Sequence, residues 1–140
     1  MRVVLDASVI LKTVLPDENP QEVELALQLF KQYSQGEIDV IIPDFWVYEV
    51  GNTLCRKLNS KKAKLGFAFL LSLKFKNVTF SKKQLLAISA FSAKHNVSFY
   101  DSSYHLLAYF TDSIFVTADK KYFDKFKRDK HVVLLGHLKI

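Results

Sequence analysis

The chain opens with the stretch VVLDASVILK, residues 3–12, in which a short apolar run ends at the charged residue Asp6. Four more short apolar runs follow, separated by longer segments whose apolar residues have helical spacing. Strands that alternate with helices favour a parallel sheet with helices on both faces and right-handed crossovers. The sequence therefore predicts an α/β fold, a single α/β/α sandwich that forms one domain over residues 1–140.

The bounds of the predicted elements follow from hydrophobic spacing, with Gly36 ending the first long helix and Ser81 capping a later one. The predicted strands are Val3–Leu5, Val40–Ile42, Val78–Phe80, Ile114–Val116 and Val132–Leu135. The predicted helices cover residues 21–34, 44–58, 61–74, 82–95, a segment that opens at Asp101, and 119–128. In a parallel sheet of this kind, the functional crevice lies at the carboxyl ends of the strands.

The charge of the chain is unevenly distributed along the sequence. The 140 residues hold 20 Lys and Arg against 14 Asp and Glu, a formal net charge of +6. Residues 50–100 contain ten of the basic residues and no acid, whereas residues 13–49 contain eight acids and one lysine. This asymmetry favours a polyanion as a partner on one face. A solvated lysine-rich surface explains the charge alone equally well.

Several classes of protein are excluded by composition. Cys55 is the only cysteine, so an internal disulfide or a multi-cysteine metal site is impossible, which suits a reducing compartment. Asp6 interrupts the amino terminus before a signal-peptide apolar region forms, and the longest apolar stretch, residues 66–73, is far shorter than the ~20 residues that span a bilayer. We therefore expect a soluble cytoplasmic protein without membrane association. The four glycines form no glycine-rich loop, which argues against a nucleotide-binding P-loop.

Four carboxylates fall at places where a parallel sheet collects its functional residues. Asp6 directly follows the first predicted strand and Asp119 follows the fourth, so both belong to the carboxyl edge of the sheet. Glu49 lies on the helix after the second strand, among strongly apolar neighbours. Asp101 lies at the start of another helix. The ordinary role of helix N-cap explains Asp101 or Asp119 when either is taken singly.

Taken together, the four acids require more than capping. Converging carboxylates repel one another and raise one another's pKa unless a cation is bound. Glu49 in particular is costly among apolar neighbours unless something cationic meets it. Oxygen ligands favour Mg²⁺ or Mn²⁺ over Zn²⁺. The sequence therefore predicts a site for one or two divalent ions, which can activate water for attack on phosphorus.

The four acids stand in motifs that together resemble one family. The motifs are VVLDASVILK with residues 15–18, YEVGNTL at residues 48–54, YDSSYHLLA at residues 100–108 and VTADKKYF at residues 116–123. In this order and spacing they resemble the PIN-domain ribonucleases, in particular VapC-type toxins of toxin–antitoxin modules. The resemblance covers essentially the whole chain. It implies a five-stranded parallel sheet in the order 3-2-1-4-5, which places strands one and four side by side.

The resemblance also implies roles for the polar residues of the motifs. The catalytic, metal-binding acids are expected to be Asp6, Glu49, Asp101 and Asp119. The polar supports that orient carboxylates or water are expected to be Ser8, Asn52 and Thr117. Some relatives carry another acid just after the fourth motif, where this chain has Lys120 and Lys121 and where Asp124 is the nearest substitute.

These expectations converge on a divalent-metal-dependent endoribonuclease that hydrolyses RNA phosphodiester bonds, by resemblance a VapC-type toxin with a VapB-like antitoxin as its partner. The basic residues expected to contact RNA phosphates without reading sequence are Arg56, Lys57, Lys61, Lys62 and Lys64. A non-catalytic RNA-binding or partner-binding module with the same fold is the alternative. A phospho-acceptor receiver domain is disfavoured, because no second acid follows Asp6 directly and none occurs between Glu49 and Asp101.

Other conspicuous residues have ordinary interpretations. His105 lies one turn after Asp101 and is expected at solvent or at an interface rather than in the cleft. Cys55 is expected to be a small core residue, and Trp46 to lie in the core or at an interface. The apolar segment of residues 65–71 exceeds one helix stripe, which predicts burial against a partner, and the resemblance implies a homodimer.

Overall fold

The computed structural model describes residues 1–16 and 18–139, so Asp17 of the first motif and Ile140 lie outside the described residues. Its centre is a parallel five-stranded sheet in the order β3-β2-β1-β4-β5, which confirms the expected fold and strand order. Every crossover between consecutive strands carries at least one helix. The strands are β1 (Arg2–Leu5), β2 (Asp39–Pro43), β3 (Lys76–Val78), β4 (Ile114–Thr117) and β5 (Val132–Leu134).

Seven α-helices in the described residues connect these strands. Val3, Val4 and Leu5 of β1 are fully buried. Because successive strand residues point to opposite faces, this burial means that both faces of the sheet are covered. None of the described helices is long and apolar enough to cross a membrane. The helices are α1 (Ala7–Leu11), α2 (Pro20–Ser34), α3 (Trp46–Lys57), α4 (Ser60–Ser72), α5 (Lys82–His95), α6 (Phe99–Phe110) and α7 (Lys120–Phe126).

Local capping explains two helix ends that the sequence indicated. At the start of α5, Ser81 Oγ accepts a hydrogen bond from the backbone N–H of Gln84 at 3.2 Å. The backbone N–H of Ser81 donates in return to Gln84 Oε1 at 2.9 Å, which completes a capping box. After α2, Gly36 has a φ of 73°, a left-handed conformation that glycine adopts at little cost. Both predicted helix ends are confirmed.

Three predicted element starts are wrong by two residues, each for a local reason. The helix α3 begins at Trp46 rather than at residue 44, because the backbone N–H of Asp44 still donates to the carbonyl of Val78 beside the sheet. The strand β3 begins and ends two residues earlier than predicted, since its pairing with β2 ends at Val78. The helix α6 begins at Phe99, because Ser98 Oγ accepts the backbone N–H of Asp101 at 3.0 Å and so caps the helix. Asp101 is therefore the third residue of α6 and does not open it.

The helix α3 exposes Cys55, which corrects the expectation of a core thiol. Val50 and Leu54 on the same helix are fully buried, and one further residue turns roughly 100° around the axis, out of the apolar face. Trp46 is buried, and its indole N–H donates to Asn77 Oδ1 at 2.9 Å. The expectation for the tryptophan is thus confirmed.

The helix α4 leaves part of its apolar surface uncovered. Leu65, Phe69 and Leu71 are 63%, 42% and 47% exposed, as expected for a segment that exceeds one buried stripe. The helix approaches α3 closely at Gly51, where an added Cβ atom would stand 3.2 Å from the ring of Phe67. The two helices therefore form a tight pair whose outer apolar side faces away from the core.

Candidate active site

The carboxyl ends of β1 and β4 meet at Asp6, the first of the four acids. The sheet register pairs Leu5 with Val116, and the backbone N–H of Asp6 donates to the carbonyl of Val116 at 2.9 Å. The Asp6 side chain is buried, with 5% exposure. Adjacent parallel strands thus bring the first and fourth motifs together at one edge of the sheet.

Two hydroxyl groups hold the Asp6 carboxylate. Ser8 Oγ donates to Asp6 Oδ2 at 2.7 Å, and Thr117 Oγ1 donates to the same oxygen at 2.9 Å. Each hydroxyl also accepts a backbone N–H from the fourth motif: Ser8 Oγ from Ala118 and Thr117 Oγ1 from Asp119, both at 3.0 Å. Because a hydroxyl has a single proton, these accepted bonds leave that proton for the carboxylate and fix its direction. The expected supports on β4 and α1 therefore both contact Asp6.

Glu49 lies in the first turn of α3, where Tyr104 of α6 meets it. The Tyr104 hydroxyl is fully buried and donates to Glu49 Oε2 at 2.9 Å. Burial and then the negative charge of Glu49 raise the pKa of Tyr104 well above its ordinary value, so the hydroxyl keeps its proton for this bond. One carboxylate oxygen of Glu49 thus has a neutral donor that the sequence did not reveal.

Asp101 and Asp119 both lie near helix starts, but only one of them is an N-cap. Asp119 Oδ1 accepts the backbone N–H of Tyr122 at 3.1 Å and caps α7. At the start of α6 the capping group is Ser98, so capping does not explain the carboxylate of Asp101. A negative charge in the first turn of α6 is nevertheless favoured by the helix dipole.

The negative charges of the four acids act on one another. The pKa of Asp6 is raised to about 7, first by burial and then by the negative charge of Asp101, with a smaller contribution from Glu49. Burial and then the charge of Asp101 raise the pKa of Glu49. Burial and the charge of Asp119 raise the pKa of Asp101. Each of the four acids therefore interacts electrostatically with at least one other.

The chemistry of the donors fits a hard divalent cation. Among residues 1–16 and 18–139, no three His, Cys, Asp or Glu side chains stand close enough to enclose a metal ion by themselves. Mg²⁺ keeps several of its waters and is commonly bound by one or two carboxylates together with substrate phosphates. An all-oxygen cluster of coupled carboxylates therefore fits Mg²⁺ or Mn²⁺, and it does not fit a closed structural zinc site.

Other residues of the motifs lie at the periphery. Asn52 is exposed on α3, one turn after Glu49, whose hydrogen bond comes from Tyr104 instead. In α7, Asp124 Oδ2 lies 3.9 Å from Lys120 Nζ, one turn earlier on the helix. Asp124, the nearest substitute for the further acid that some relatives carry, is thus exposed and lies beside a lysine.

The structure contradicts the expectation that His105 reaches solvent or an interface. Its imidazole is 1% exposed and hydrogen-bonded to Tyr122 and Asp129. The sequence of α6 contains a signal for this burial. After Asp101, His105 is the only residue of the helix that is charged or titrates near neutral pH. A helix that is apolar nearly all round is buried on most of its sides.

The basic residues expected to contact RNA are exposed around the junction of α3 and α4. Arg56 follows Glu49 by seven residues on the same helix, a distance of about 10 Å along the axis. The exposed basic side chains of the junction are Arg56, Lys57, Lys61, Lys62 and Lys64. The acidic site and this basic surface therefore share the helix α3.

The fold and the carboxylate cluster define a three-layer α/β protein with an acidic site at the carboxyl edge of its sheet. The sequence model of the PIN domain matches residues 3–129, which include all four acids. The chain therefore belongs to the PIN domain family. No curated protein is significantly similar to it in sequence.

Solved structures share the fold over nearly the whole chain. PAE2754 from Pyrobaculum aerophilum has a TM-score of 0.65 at 17% identity, covering 97% of this chain and 93% of that one. FitAcB from Neisseria gonorrhoeae has a TM-score of 0.68 at 20% identity, covering 97% and 99%. VapBC2 from Rickettsia felis, solved with a DNA fragment from its promoter, has a TM-score of 0.65 at 14% identity, covering 96% and 97%. At these identities the likeness establishes the fold.

Proposed function

We propose that the protein is a divalent-metal-dependent endoribonuclease that hydrolyses RNA phosphodiester bonds as the toxin of a VapC-type toxin–antitoxin pair. The observation that carries the proposal is Asp6, a buried carboxylate whose pKa is raised to about 7 by burial and by neighbouring acids. Such a group is costly in the isolated protein, and strongly perturbed acids of this kind are typical of functional sites. Membership of the PIN domain family, whose members are generally nucleases, supports the same chemistry.

In this proposal, one or two Mg²⁺ or Mn²⁺ ions are held by the four acids Asp6, Glu49, Asp101 and Asp119. The bound cation supplies Lewis acidity and charge screening for the attack of water on phosphorus. Ser8 and Thr117 orient Asp6 through their hydroxyl protons, and Tyr104 does the same for its acid on α3. In the hydrolysis, the water oxygen bonds to phosphorus, one P–O ester bond breaks, and the leaving oxygen takes up a proton.

The RNA strand is proposed to pass from the acidic cluster along α3 to its junction with α4. The exposed basic side chains at that junction begin about 10 Å from Glu49, close enough to bind phosphates next to the one that reacts. They fix the position of the backbone and carry no information about base sequence. Asn52 lies between the two regions and is proposed to orient water or substrate there.

We also propose a VapB-like antitoxin and a second copy of this chain as protein partners, acting in the cytoplasm. A groove of about 460 Å³ between α3 and α4 is lined mostly by apolar side chains, together with Ser60 and Lys64. Such a groove suits an amphipathic segment with acidic flanks, the kind of partner expected of an antitoxin. The exposed apolar side chains of α4 support the homodimer, and a monomer in light scattering at micromolar concentration would contradict it.

The deciding experiment compares RNA cleavage by the wild-type chain, Asp6→Asn and Asp119→Asn in the presence of Mg²⁺ or Mn²⁺. We expect each variant to lose at least about 100-fold in rate, because loss of outer partners of a metal site alone costs 10–100-fold. Asp112→Asn is the matched control. It makes the same chemical change at an exposed residue before β4, at the opposite edge of the sheet, where asparagine tolerates the φ of 48°.

Undiminished cleavage by Asp6→Asn overturns the proposed assignment of the site. RNA binding that persists in EDTA, with no cleavage under any condition, supports the non-catalytic binding module instead.

A further inference from the structure

A second polar cluster lies beside the acidic site, one turn further along α6. It consists of His105 on α6, Tyr122 on α7 and Asp129 in the segment before β5. His105 Nδ1 lies 2.8 Å from the Tyr122 hydroxyl, and His105 Nε2 lies 2.9 Å from Asp129 Oδ2. Both ring nitrogens therefore have a partner, and each partner belongs to a different segment of the chain.

Aromatic rings enclose the imidazole of His105. The ring of Phe115 on β4 is stacked with it at 5.7 Å between centroids. The rings of Phe91 on α5 and Phe126 on α7 meet it edge-on, at 5.1 Å and 4.9 Å. With 1% exposure, the imidazole has hardly any contact with water, so its hydrogen bonds depend on the two protein partners.

The protonation states of the three groups fix the direction of these hydrogen bonds. Burial lowers the pKa of His105, which makes the neutral ring the form present at neutral pH. Although burial acts in the opposite sense, hydrogen bonds from the His131 backbone and from His105 hold the pKa of Asp129 below its ordinary value. A carboxylate only accepts, so Nε2–H donates to Asp129 and Nδ1 accepts the hydroxyl proton of Tyr122.

Tyr122 connects this cluster to the acidic site. Its backbone N–H donates to Asp119 Oδ1 at 3.1 Å. The Tyr122 side chain is thus bonded to His105, while its backbone is bonded to a carboxylate of the acidic site. A continuous series of hydrogen-bonded residues thus runs from Asp129 to Asp119.

We propose that His105 is a positioning residue for the acidic site, which acts through Tyr122 to hold the Asp119 carboxylate against Asp101. His105 and Asp101 lie one turn apart on α6, and Tyr122 and Asp119 lie one turn apart at the start of α7. The bond between His105 and Tyr122 therefore sets the spacing of the two acids. The inference rests on the proposed metal-dependent nuclease function.

The test uses variants that remove one hydrogen bond of the series at a time. His105→Gln places an amide nitrogen near the position of Nε2 and keeps the donor to Asp129, but it loses the acceptor for Tyr122. His105→Asn places an amide oxygen near the position of Nδ1 and keeps that acceptor. Tyr122→Phe removes the hydroxyl alone and keeps the ring.

The measurement is Mn²⁺ affinity by calorimetry, with kcat and KM for RNA cleavage beside it. We expect about tenfold weaker Mn²⁺ binding and lower kcat for Tyr122→Phe and His105→Gln, with little change in KM. The Mn²⁺ affinity of His105→Asn should stay within about threefold of wild type. The double variant of Tyr122→Phe with His105→Gln should bind Mn²⁺ no more weakly than either single variant, because both substitutions break the same hydrogen bond. A purely structural histidine predicts equal effects of its two substitutions.

The matched control is His131→Gln. His131 is also a buried histidine, and its Nδ1 donates to the carbonyl of Ser113 at 2.9 Å, just before the amino end of β4. Its bond to Asp129 comes from the backbone N–H, which the substitution keeps. It should leave Mn²⁺ affinity unchanged even if stability falls.

Three results overturn the inference: equal Mn²⁺ affinity of Tyr122→Phe and wild type, no binding by either, or a ¹⁵N NMR spectrum that shows His105 protonated on Nδ1. Absence of cleavage by a wild-type chain that still binds Mn²⁺ overturns the proposed nuclease function alone, since the binding series and the tautomer do not depend on cleavage.

Discussion

The two polar clusters that share α6 have opposite charge balance. Around His105, donors and acceptors match, and the one full charge, on Asp129, is partly exposed to water. Around Asp6, burial and then the negative charges of neighbouring acids raise the pKa values of the carboxylates. The first cluster stabilises the fold, whereas the second costs stability, a cost that the divalent cation of the proposed function would offset. One helix carries a member of each, Asp101 and His105, a single turn apart.

Breaking the matched cluster should have the largest effect on stability. His105→Ala leaves the Tyr122 hydroxyl and Asp129 without their partner and opens a cavity among four aromatic rings. We expect a loss of about 3 kcal/mol in the free energy of unfolding, measured by urea denaturation. His137→Ala, at an exposed histidine, is the control and should change it by less than about 0.5 kcal/mol. A cost below about 1 kcal/mol for His105→Ala would contradict the view of a matched cluster.

Removing a charge from the carboxylate cluster around Asp6 should instead raise the stability of the metal-free protein. In EDTA at pH 8, Asp6→Asn should raise the free energy of unfolding by about 2 kcal/mol, because it removes a buried negative charge beside other acids. The amide oxygen still accepts the protons of Ser8 and Thr117. Adding Mg²⁺ should stabilise the wild type and leave Asp6→Asn nearly unchanged.

The same substitution has a defined pH dependence in the metal-free protein. The pKa of Asp6 is about 7 in the folded state against an ordinary value of 3.8, so the folded state binds this proton more tightly than the unfolded chain. The stability from that proton is fully present below pH 4 and is lost as the pH rises through 7. Between pH 5.5 and 8, the stability difference between wild type and Asp6→Asn should therefore grow with pH. A constant difference would show that Asp6 ionises normally.

A smaller effect is expected from the hydroxyl that orients Asp6. Thr117→Val keeps the shape of the side chain but removes both its hydrogen bond to the Asp6 carboxylate and its acceptor for the Asp119 backbone N–H. Cleavage should therefore slow by about 10-fold, and stability should fall by about 1 kcal/mol. Thr111→Val is the matched control, because the Thr111 hydroxyl donates to the carbonyl of Leu107 at the other edge of the sheet. Equal cleavage rates for the two variants would show that the Thr117 hydroxyl has no role in the reaction.

The smallest effect concerns the basic surface beside the acids. The double variant Arg56→Gln with Lys57→Gln should weaken RNA binding a few-fold and lower the salt slope of log affinity by about 1–2, as expected for lost phosphate contacts. The control pair Lys31→Gln with Lys130→Gln makes the same charge change at exposed residues near the amino ends of β2 and β5. If both pairs weaken binding equally, net charge alone attracts the RNA.

The sequence predicts the fold and the place of Asp6 and Asp119 well, because both follow from the order of strands in a parallel sheet. It does not predict which donor meets Glu49. Tyr104 lies 55 residues further along the chain, and its approach depends on how α3 and α6 are rotated against each other. Periodicity constrains such rotations only to within about one residue, or 100°. The error at Cys55, one position past Leu54, has the same origin.

Capping limits prediction in another way. Asp101 is the expected cap of α6, but serine is equally favoured at an N-cap, and Ser98 stands three residues earlier. In the structure the Ser98 hydroxyl accepts the backbone N–H of Asp101, so the Asp101 carboxylate does not cap the helix. The difference is a shift of three residues, which residue preferences alone do not resolve.

The strand order also has a consequence during protein synthesis. Thr117, which holds the Asp6 carboxylate, is synthesised 111 residues after it. The strand β1 therefore waits for β4 before its second neighbour in the sheet exists, and long-range pairing of this kind forms late. A nascent chain that stops before Thr117 thus has no assembled acidic site.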